Sequence, residues 1–395
     1  MKKTITRVTR SAAVALLVSF AVGLDAVGQT VQHADIQTAL QAKLDSIIAY
    51  TSIPGITIGI AMPDGSSFGL SAGVSDRSVH RRMSPSDLML QGSVGKIYFN
   101  AVALQLVSEG RLDLDAKLSV YLGREPWFDR LPNARDVTIR QMMSHQSGIV
   151  RYEFNNAFLD DLTADPMRTF TPVERLEYLF DSEAPFAAGT SWEYSDTNFI
   201  LVAMVIEKIT GHSAYDEIRD RLLVPLELKA TLPSDRPDLP GLAQGYAGGE
   251  SNPFGGFDET MENGRMVMNP QFEWGGGGFA STTQDLARMT QDIHVGRAFD
   301  PDLLDQVYDG VPAPLGPNAA YGLGTIMMGL PTSGTAFGHS GFMPGYRTEA
   351  YYFPDYGFAF ALQVNTTAPR AWVGPLLLLF DDLVHVVIRE GEFGG

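Results

Sequence analysis

Ser93 and Lys96 are the two residues of this chain whose types and spacing could carry out nucleophilic chemistry. A serine hydroxyl is a weak nucleophile until a neighbouring base takes its proton, and a desolvated lysine can act as that base. An apolar pattern over 97–109, ended by Gly110, predicts a helix, and side chains three positions apart on a helix lie on one face. The pair therefore indicates an activated serine, with an exposed helix start capped by serine as the alternative.

A tyrosine and an aspartate form a second polar cluster, just before a helix predicted over 199–209. Asp196 is the type of residue that caps the start of a helix. Tyr194 is not a capping residue, and a phenol held near an ammonium group can lose its proton and serve as a base. The cluster therefore indicates either a helix cap or a second group that handles protons.

A third polar cluster lies towards the C-terminus, where His339, Ser340 and Gly341 are followed by Arg347. Glycines around a polar pair are typical of a strand that a ligand's backbone can approach closely. A buried histidine with satisfied hydrogen bonds is the alternative. The other histidines lack a metal-ligand spacing such as H-E-x-x-H, and the glycine run 275–278 lacks the lysine of a phosphate-binding loop. We therefore expect neither a metal nor a nucleotide cofactor.

The composition excludes several other kinds of protein. The chain has 395 residues, 45% of them hydrophobic, with no cysteine and a formal net charge of -17. A chain of this length can bury a large core, and the lack of cysteine excludes disulfides and thiol catalysis. The negative charge argues against nucleic acid or an anionic membrane surface as a partner. The expected partner is a small-molecule or peptide substrate.

The first 28 residues are typical of a secretory signal peptide. A basic start is followed by an apolar stretch over 12–24 and by small residues at 26–28. The apolar stretch is short for a membrane span. We predict cleavage between Gly28 and Gln29, export to the periplasm or the medium, and no lasting membrane contact. Retention of the segment as an N-terminal anchor is the alternative.

The rest of the chain, 29–395, is predicted to form one α+β domain. Strand patterns occur near both of its ends, whereas the middle stretch has a helical pattern broken by proline and glycine. We expect an antiparallel sheet from about 36–92 and 270–390, flanked by helices, and a mostly helical region over about 94–226. The predicted strands are 55–61, 67–74, 346–353 and 356–365, and the predicted flanking helices are 36–50 and 372–389.

The three polar clusters together resemble a known family. In order and spacing they are similar to those of the serine penicillin-recognising enzymes, within the group of class C β-lactamases, D-alanyl-D-alanine carboxypeptidases, D-aminopeptidases and family VIII esterases. The segments 141–149 and 277–287 also resemble family stretches, and the former has a structural role there. The resemblance extends over about 36–388 and implies a β-lactamase/transpeptidase-like fold.

The resemblance also implies a mechanism. Ser93 would attack a carbonyl to give an acyl-enzyme, with Lys96 and Tyr194 sharing its proton. The backbone N–H groups of Ser93 and Phe342 would form the oxyanion hole. Phe342 and Trp274 are candidates for an apolar pocket. The implied substrate-binding residues are Asp196, His339, Ser340, Gly341 and Arg347, the last with a structural ion pair as the alternative.

Two positions differ from most of the family. Asp196 replaces an asparagine, and a carboxylate cannot donate a hydrogen bond to a substrate's acylamido carbonyl. Beside Lys96, it would also hold the lysine in its charged form and weaken it as a base. His339 replaces the lysine of class C β-lactamases and matches the carboxypeptidase and aminopeptidase branch and some esterases. We expect a D-alanyl-D-alanine carboxypeptidase first, then an esterase on small acyl esters, a weak β-lactamase and, last, a non-catalytic ligand-binding module.

Overall fold

The structure is a computed structural model that describes residues 33–249, 252–316, 318–372, 374–391 and 393. The predicted signal peptide lies outside these ranges. Within them, none of the helices combines the length and the apolar character needed to cross a membrane.

Antiparallel strands form the centre of the molecule. A nine-stranded sheet has the order β3-β2-β1-β14-β13-β12-β11-β10-β9, and two small sheets have the orders β4-β8-β5 and β6-β7. The strands of the described chain are β1 (Gly55–Ala61), β2 (Ser67–Asp76), β3 (Arg81–Arg82), β4 (Met89–Leu90), β5 (Thr231–Pro233), β6 (Met261–Glu262), β7 (Arg265–Met266), β8 (Phe279–Ser281), β9 (Val311–Pro312), β10 (Ala320–Tyr321), β11 (Ile326–Leu330), β12 (Gly334–Met343), β13 (Tyr346–Phe353) and β14 (Phe358–Val364).

Helices cover both faces of the large sheet and form the middle region. A short 3-10 helix, Gly92–Gly95, leads directly into the second helix. The helices of the described chain are α1 (33–50), α2 (Lys96–Ser108), α3 (Leu118–Leu122), α4 (Ile139–Met143), α5 (Asn156–Ala164), α6 (Pro172–Glu177), α7 (Asp196–Thr210), α8 (Ala214–Ile218), α9 (Thr283–His294), α10 (Leu304–Tyr308) and α11 (Leu376–Glu390).

The two ends of the chain meet at the centre of the large sheet. β1 pairs with β2 on one side and with β14 on the other, so that Ile58 lies opposite Leu362. The isoleucines of β1 are buried against α1 and α11. On the opposite face α9 crosses so closely that a Cβ on Gly59 would lie 2.0 Å from the Thr283 carbonyl oxygen. The predicted α+β class, with a sheet from both chain ends and a helical middle, is confirmed.

Several predicted boundaries were wrong by a few residues. The helix predicted over 199–209 begins at Asp196, which is therefore the first residue of α7 and does not precede it. The helix predicted over 372–389 begins at Leu376, because Pro375 has an extended backbone with ψ of 143° and stands as its N-cap. The strand predicted over 356–365 begins at Phe358, since the turn before it passes through Gly357 with φ of 75°.

Candidate active site

The 3-10 helix that carries Ser93 lies directly against β12. Gly92 has φ of 57°, and a Cβ there would lie 2.5 Å from the backbone nitrogen of Phe342. A Cβ on Gly341 would lie 1.9 Å from the carbonyl oxygen of Gln91. Both positions therefore require glycine, because a larger residue would separate the two backbones. This contact brings the backbone of Ser93 beside that of Phe342, the two segments from which the oxyanion hole is predicted.

The part of β12 beside Ser93 has an open edge. β11 pairs with β12 only over Gly334–Gly338, whereas β13 pairs with it over Phe337–Met343. Beyond Gly338 the strand therefore has one paired neighbour within the described chain. Unpaired strand edges present backbone N–H and C=O groups that an extended ligand can bind.

Lys96 is completely buried at the start of α2. Its Nζ donates hydrogen bonds to the Asp196 carboxylate and to the carbonyl oxygen of Gly276. The same Nζ lies 5.0 Å from the centre of the Tyr194 ring. The expected contact between Asp196 and Lys96 is present. The expected hydrogen bond from Lys96 to Ser93 is not among those of the described residues, because Asp196 and Gly276 hold the ammonium group.

Asp196 is a buried carboxylate that faces two cations. Besides Lys96, it accepts a hydrogen bond of 3.4 Å from Nη2 of Arg151 at its Oδ2. Burial alone would raise the pKa of Asp196, but the charges of Lys96 and Arg151 outweigh it and lower the pKa below its usual value. The carboxyl is therefore ionised at neutral pH, and it holds Lys96 as an ammonium ion.

Tyr194 keeps its proton in the resting site. Burial and the nearby Asp196 carboxylate raise the pKa of its phenol well above 10, although the Ser93 hydroxyl is close enough to favour the ionised form. Ser93 and Tyr194 do not form a hydrogen bond of good geometry. The resting site therefore contains a neutral phenol and a charged lysine, so one of them must release a proton before it can accept the proton of Ser93.

The imidazole ring of His145 packs against the ring of Tyr194. The two rings lie 4.2 Å apart, and the His145 Nδ1 accepts a hydrogen bond of 3.2 Å from the backbone N–H of Ser195. The Asn198 side chain lies 3.0 Å from the same nitrogen. Burial lowers the pKa of His145 well below 6.5, so the ring is neutral. The stretch 141–149 therefore has a structural contact with the Tyr194 segment, as the resemblance implied.

His339 is buried with both ring nitrogens occupied. Its Nδ1 donates to the carbonyl oxygen of Ser340 at 2.5 Å, and its Nε2 accepts from the Tyr321 hydroxyl at 3.0 Å. Burial, assisted by the charge of Lys96, lowers the pKa of His339 to about 3. The imidazole is therefore neutral at pH 7 and carries no charge that could hold a substrate carboxylate.

Arg347 belongs to β13, two residues before Glu349. Ser340 is in register with Glu349, and Phe342 is in register with Arg347. Burial raises the pKa of Glu349 to about 8, and the charge of Arg347 opposes this. Arg347 is not among the residues that line the pocket beside Ser93. Arg347 therefore lies outside this pocket, and its role in substrate binding stays a prediction.

A small pocket of about 60 Å³ opens beside Ser93. Phe342 lines it as predicted, but Trp274 does not, because its buried ring lies against the Arg175 guanidinium at 5.6 Å. The lining residues are Ser93, Arg151, Tyr152, Glu153, Phe154, Asp196, Phe254, Phe272, Glu273, Phe342 and Met343. Three of its ionisable residues, Arg151, Glu153 and Glu273, were missed in the sequence, because they lie in or beside short 3-10 helices and no spacing links them to Ser93.

Glu273 is a buried carboxyl group close to Lys96 and Asp196. Its Oε2 accepts a hydrogen bond of 3.1 Å from the backbone N–H of Gly278. Burial raises the pKa of Glu273 from 4.5 to about 8, against the opposing effect of Lys96. The side chain is therefore mostly protonated at neutral pH, and Asp196 is the anion that faces Lys96.

The raised pKa of Glu273 predicts that stability falls as the pH rises from 6.5 to 8. Folding favours the protonated group, so its contribution is complete below pH 4.5 and disappears as the pH passes 8. Above pH 6.5 the buried His294 and His339, whose pKa values are lowered to about 3, no longer change stability. We expect Glu273→Gln to reduce the fall in the free energy of unfolding over this range by about 1 kcal/mol per pH unit. Urea denaturation at several pH values measures it.

The matched control for Glu273 is the exposed Glu183, changed to glutamine in the same way. We expect Glu183→Gln to keep the decline of the unaltered protein. A decline that is equally steep with Glu273→Gln would contradict the assignment of a raised pKa to Glu273. Glu349 acts in the same direction, so part of the decline is expected to remain.

Comparison with known proteins shows the family to which the chain belongs. The beta-lactamase family model matches residues 40–375. Esterase EstB of Burkholderia gladioli is 25% identical over 92% of this chain and 99% of its own length. Penicillin-binding protein 4 of Amycolatopsis lactamdurans is 29% identical over 49% of this chain. The chain spans about half the length of that protein and about three fifths of two further curated relatives.

The fold has close counterparts among solved structures. A D-stereospecific amidohydrolase from Streptomyces sp. superposes with a TM-score of 0.74 and 26% identity, over 87% of this chain and 97% of the other. The fold of this chain thus belongs to an established architecture. The chain is a member of the beta-lactamase family of serine hydrolases, which includes penicillin-binding proteins, esterases and D-aminopeptidases.

Proposed function

We propose that this protein is an exported serine hydrolase that forms an acyl-enzyme on Ser93 and cleaves small acyl esters with uncharged leaving groups. The observation that carries the proposal is the neutral, fully engaged His339, which lies 6.0 Å from the Tyr194 ring on the side where the leaving group would take its proton. A carboxypeptidase must hold the terminal carboxylate of its leaving group. On this side the neutral imidazole of His339 offers no charge for that carboxylate.

The proposed reaction proceeds in two steps. The Tyr194–Lys96 pair first releases one proton to solvent. The Ser93 oxygen then attacks the ester carbonyl, its proton passes to the vacated position on the pair, and the negative charge on the former carbonyl oxygen is stabilised by backbone N–H groups of Ser93 and Phe342. The carbon–oxygen bond to the leaving group then breaks, and the alcohol leaves with that proton. Water attacks the acyl-enzyme by the same route and releases the acid.

The relatives provide separate support for the ester substrate and for an alternative. EstB, an esterase by name, is similar over nearly its whole length. The similarity to penicillin-binding protein 4 favours the second candidate, a D-alanyl-D-alanine carboxypeptidase acting on cell-wall peptides, although it covers half of each chain. The signal-like segment 1–28 supports export.

The experiment compares three substrates with the same purified protein. The substrates are p-nitrophenyl butyrate, a peptide ending in D-alanyl-D-alanine, and a fluorescent penicillin. We expect kcat/KM for the ester to exceed that for the peptide by about 100-fold or more, because the peptide's terminal carboxylate would be buried without a partner. Faster release of D-alanine than of p-nitrophenol would establish the carboxypeptidase instead. No Ser93-dependent reaction with any substrate would rule out this hydrolase proposal.

A further inference from the structure

Arg151 is a charged donor in the pocket whose hydrogen-bonding capacity is only partly used. Its Nε donates to Glu153, and its Nη2 donates to Asp196 at 3.4 Å. Nη1 forms no hydrogen bond with any described residue, and one third of the side chain, 33%, is exposed. A guanidinium group has five N–H donors in a fixed plane, so Arg151 retains donors for a ligand.

The guanidinium group of Arg151 is held in position before any ligand arrives. It lies over the Phe154 ring at 4.4 Å and over the Tyr194 ring at 5.3 Å, in addition to its contacts with the two carboxyl groups. A donor that is already ordered loses little conformational entropy on binding. Arg151 is therefore suited to recognise a substrate group through its free edge.

The pocket that Arg151 lines is on the acyl side of Ser93. Tyr194 and His339, next to which the leaving group would take its proton, are absent from its lining. Once Ser93 carries the acyl group, the side chain of that group can extend into the pocket. There it would meet apolar rings, including Phe254 and Phe342, and the guanidinium group of Arg151.

A neutral acceptor can use the free edge of Arg151 without disturbing the ion pairs around it. Burial raises the pKa of Glu153 well above its usual value, and it raises the pKa of Glu273 to about 8, so Glu273 is mainly protonated at pH 7. Asp196 remains as the anion beside Lys96 and Arg151. A carbonyl oxygen would accept a hydrogen bond from Nη1 of Arg151 while Asp196 keeps its two cationic partners.

We propose that Arg151 is a specificity-determining residue that selects acyl groups carrying a carbonyl oxygen beyond the reacting carbonyl, such as keto-acyl or N-acylaminoacyl groups. It would provide the hydrogen-bond donor that the carboxylate of Asp196 cannot provide. This inference rests on the proposed acyl-enzyme on Ser93, and it adds a substrate class to that function.

The test uses two esters that differ in one group. The p-nitrophenyl esters of pentanoic acid and of 4-oxopentanoic acid have the same leaving group and chain length, and only the second has an additional carbonyl oxygen. We expect the unaltered protein to prefer the oxo ester in kcat/KM by about 10-fold, the usual effect of a hydrogen bond from a charged donor. Arg151→Met is expected to reduce this ratio to about 1, since it removes the donor.

A second variant and a matched control separate recognition from damage to the site. Arg151→Lys keeps a cation beside Asp196 but loses the planar fork, so the ratio should also fall. Arg168 has a similar setting, with two carboxylates at 3.2 Å, a ring at 4.6 Å and 33% exposure, but it does not line the pocket. Arg168→Met should leave the ratio unchanged.

The outcomes distinguish this inference from the proposed function. Because each ratio is measured on one protein sample, a lower fraction of folded enzyme affects both esters equally. Turnover of both esters with an unchanged ratio in Arg151→Met and Arg151→Lys would overturn the role of Arg151 and leave the hydrolase intact. Absence of Ser93-dependent turnover of either ester would overturn the proposed function itself.

Discussion

Replacing Ser93 with alanine is expected to lower kcat on p-nitrophenyl butyrate by about 10⁴-fold or more. The variant lacks the oxygen that forms the acyl bond, while the backbone N–H groups beside Phe342 and the contact of Gly92 with β12 stay unchanged. Binding and oxyanion stabilisation alone leave only a small residual rate. Steady-state kinetics measure the loss, and intact-protein mass spectrometry shows whether the acyl adduct disappears with it.

The control for Ser93 is another serine without a structural hydrogen bond. Ser234 is fully buried, and its Oγ has no hydrogen-bond partner among the described residues. Ser234→Ala should therefore keep both the rate and the adduct. An acyl adduct that persists in Ser93→Ala, or a rate within about tenfold of the unaltered protein, would show that the nucleophile is a different residue.

Replacing Lys96 with methionine is expected to lower kcat by about 10³-fold or more and to destabilise the fold by about 3 kcal/mol. The activity falls because Tyr194 loses the cation with which it would share the proton of Ser93. The stability falls because the ionised Asp196 is left buried with Arg151 as its remaining cation. Ester kinetics and urea denaturation measure the two effects separately.

A double variant separates the chemical role of Lys96 from its structural one. Lys96→Met combined with Asp196→Asn removes both charges of the buried pair, so most of the lost stability should return. The activity should stay low, since no group replaces the ammonium. If the double variant recovered the rate as well as the stability, Lys96 would be a structural residue and not part of the proton transfer.

The parts of the site that could be predicted from the sequence depend on the types and spacing of residues that are close together in the chain. The Ser93–Lys96 spacing coincides with the start of an apolar helix, and the glycines around His339 indicate a strand that another backbone approaches. Both features arise from the conformations that neighbouring residues permit, so the motif and its secondary structure could be predicted together. The contact of Asp196 with Lys96 also followed, once the family resemblance brought the two clusters together.

The parts that were missed depend on packing between distant segments. Arg151, Glu153 and Glu273 lie in or beside short 3-10 helices, and an ionisable residue is usually exposed to solvent. The hydrogen bond of His339 to Tyr321 fixes a neutral ring, but Tyr321 comes from a two-residue strand without a motif. The buried position of these groups, and therefore their shifted pKa values, results from the tertiary structure and not from sequence spacing.

The pairing of β1 with β14 has a consequence for the order in which the protein can fold during synthesis. The two partners lie about 300 residues apart in the chain, so one edge of β1 stays vacant until the ribosome has made β14. Until then the isoleucine-rich hairpin of β1 and β2 is an exposed edge that can pair with other chains. For a protein that is proposed to be exported, this late closure also delays compaction, which keeps the chain in a form that can be threaded through a membrane channel.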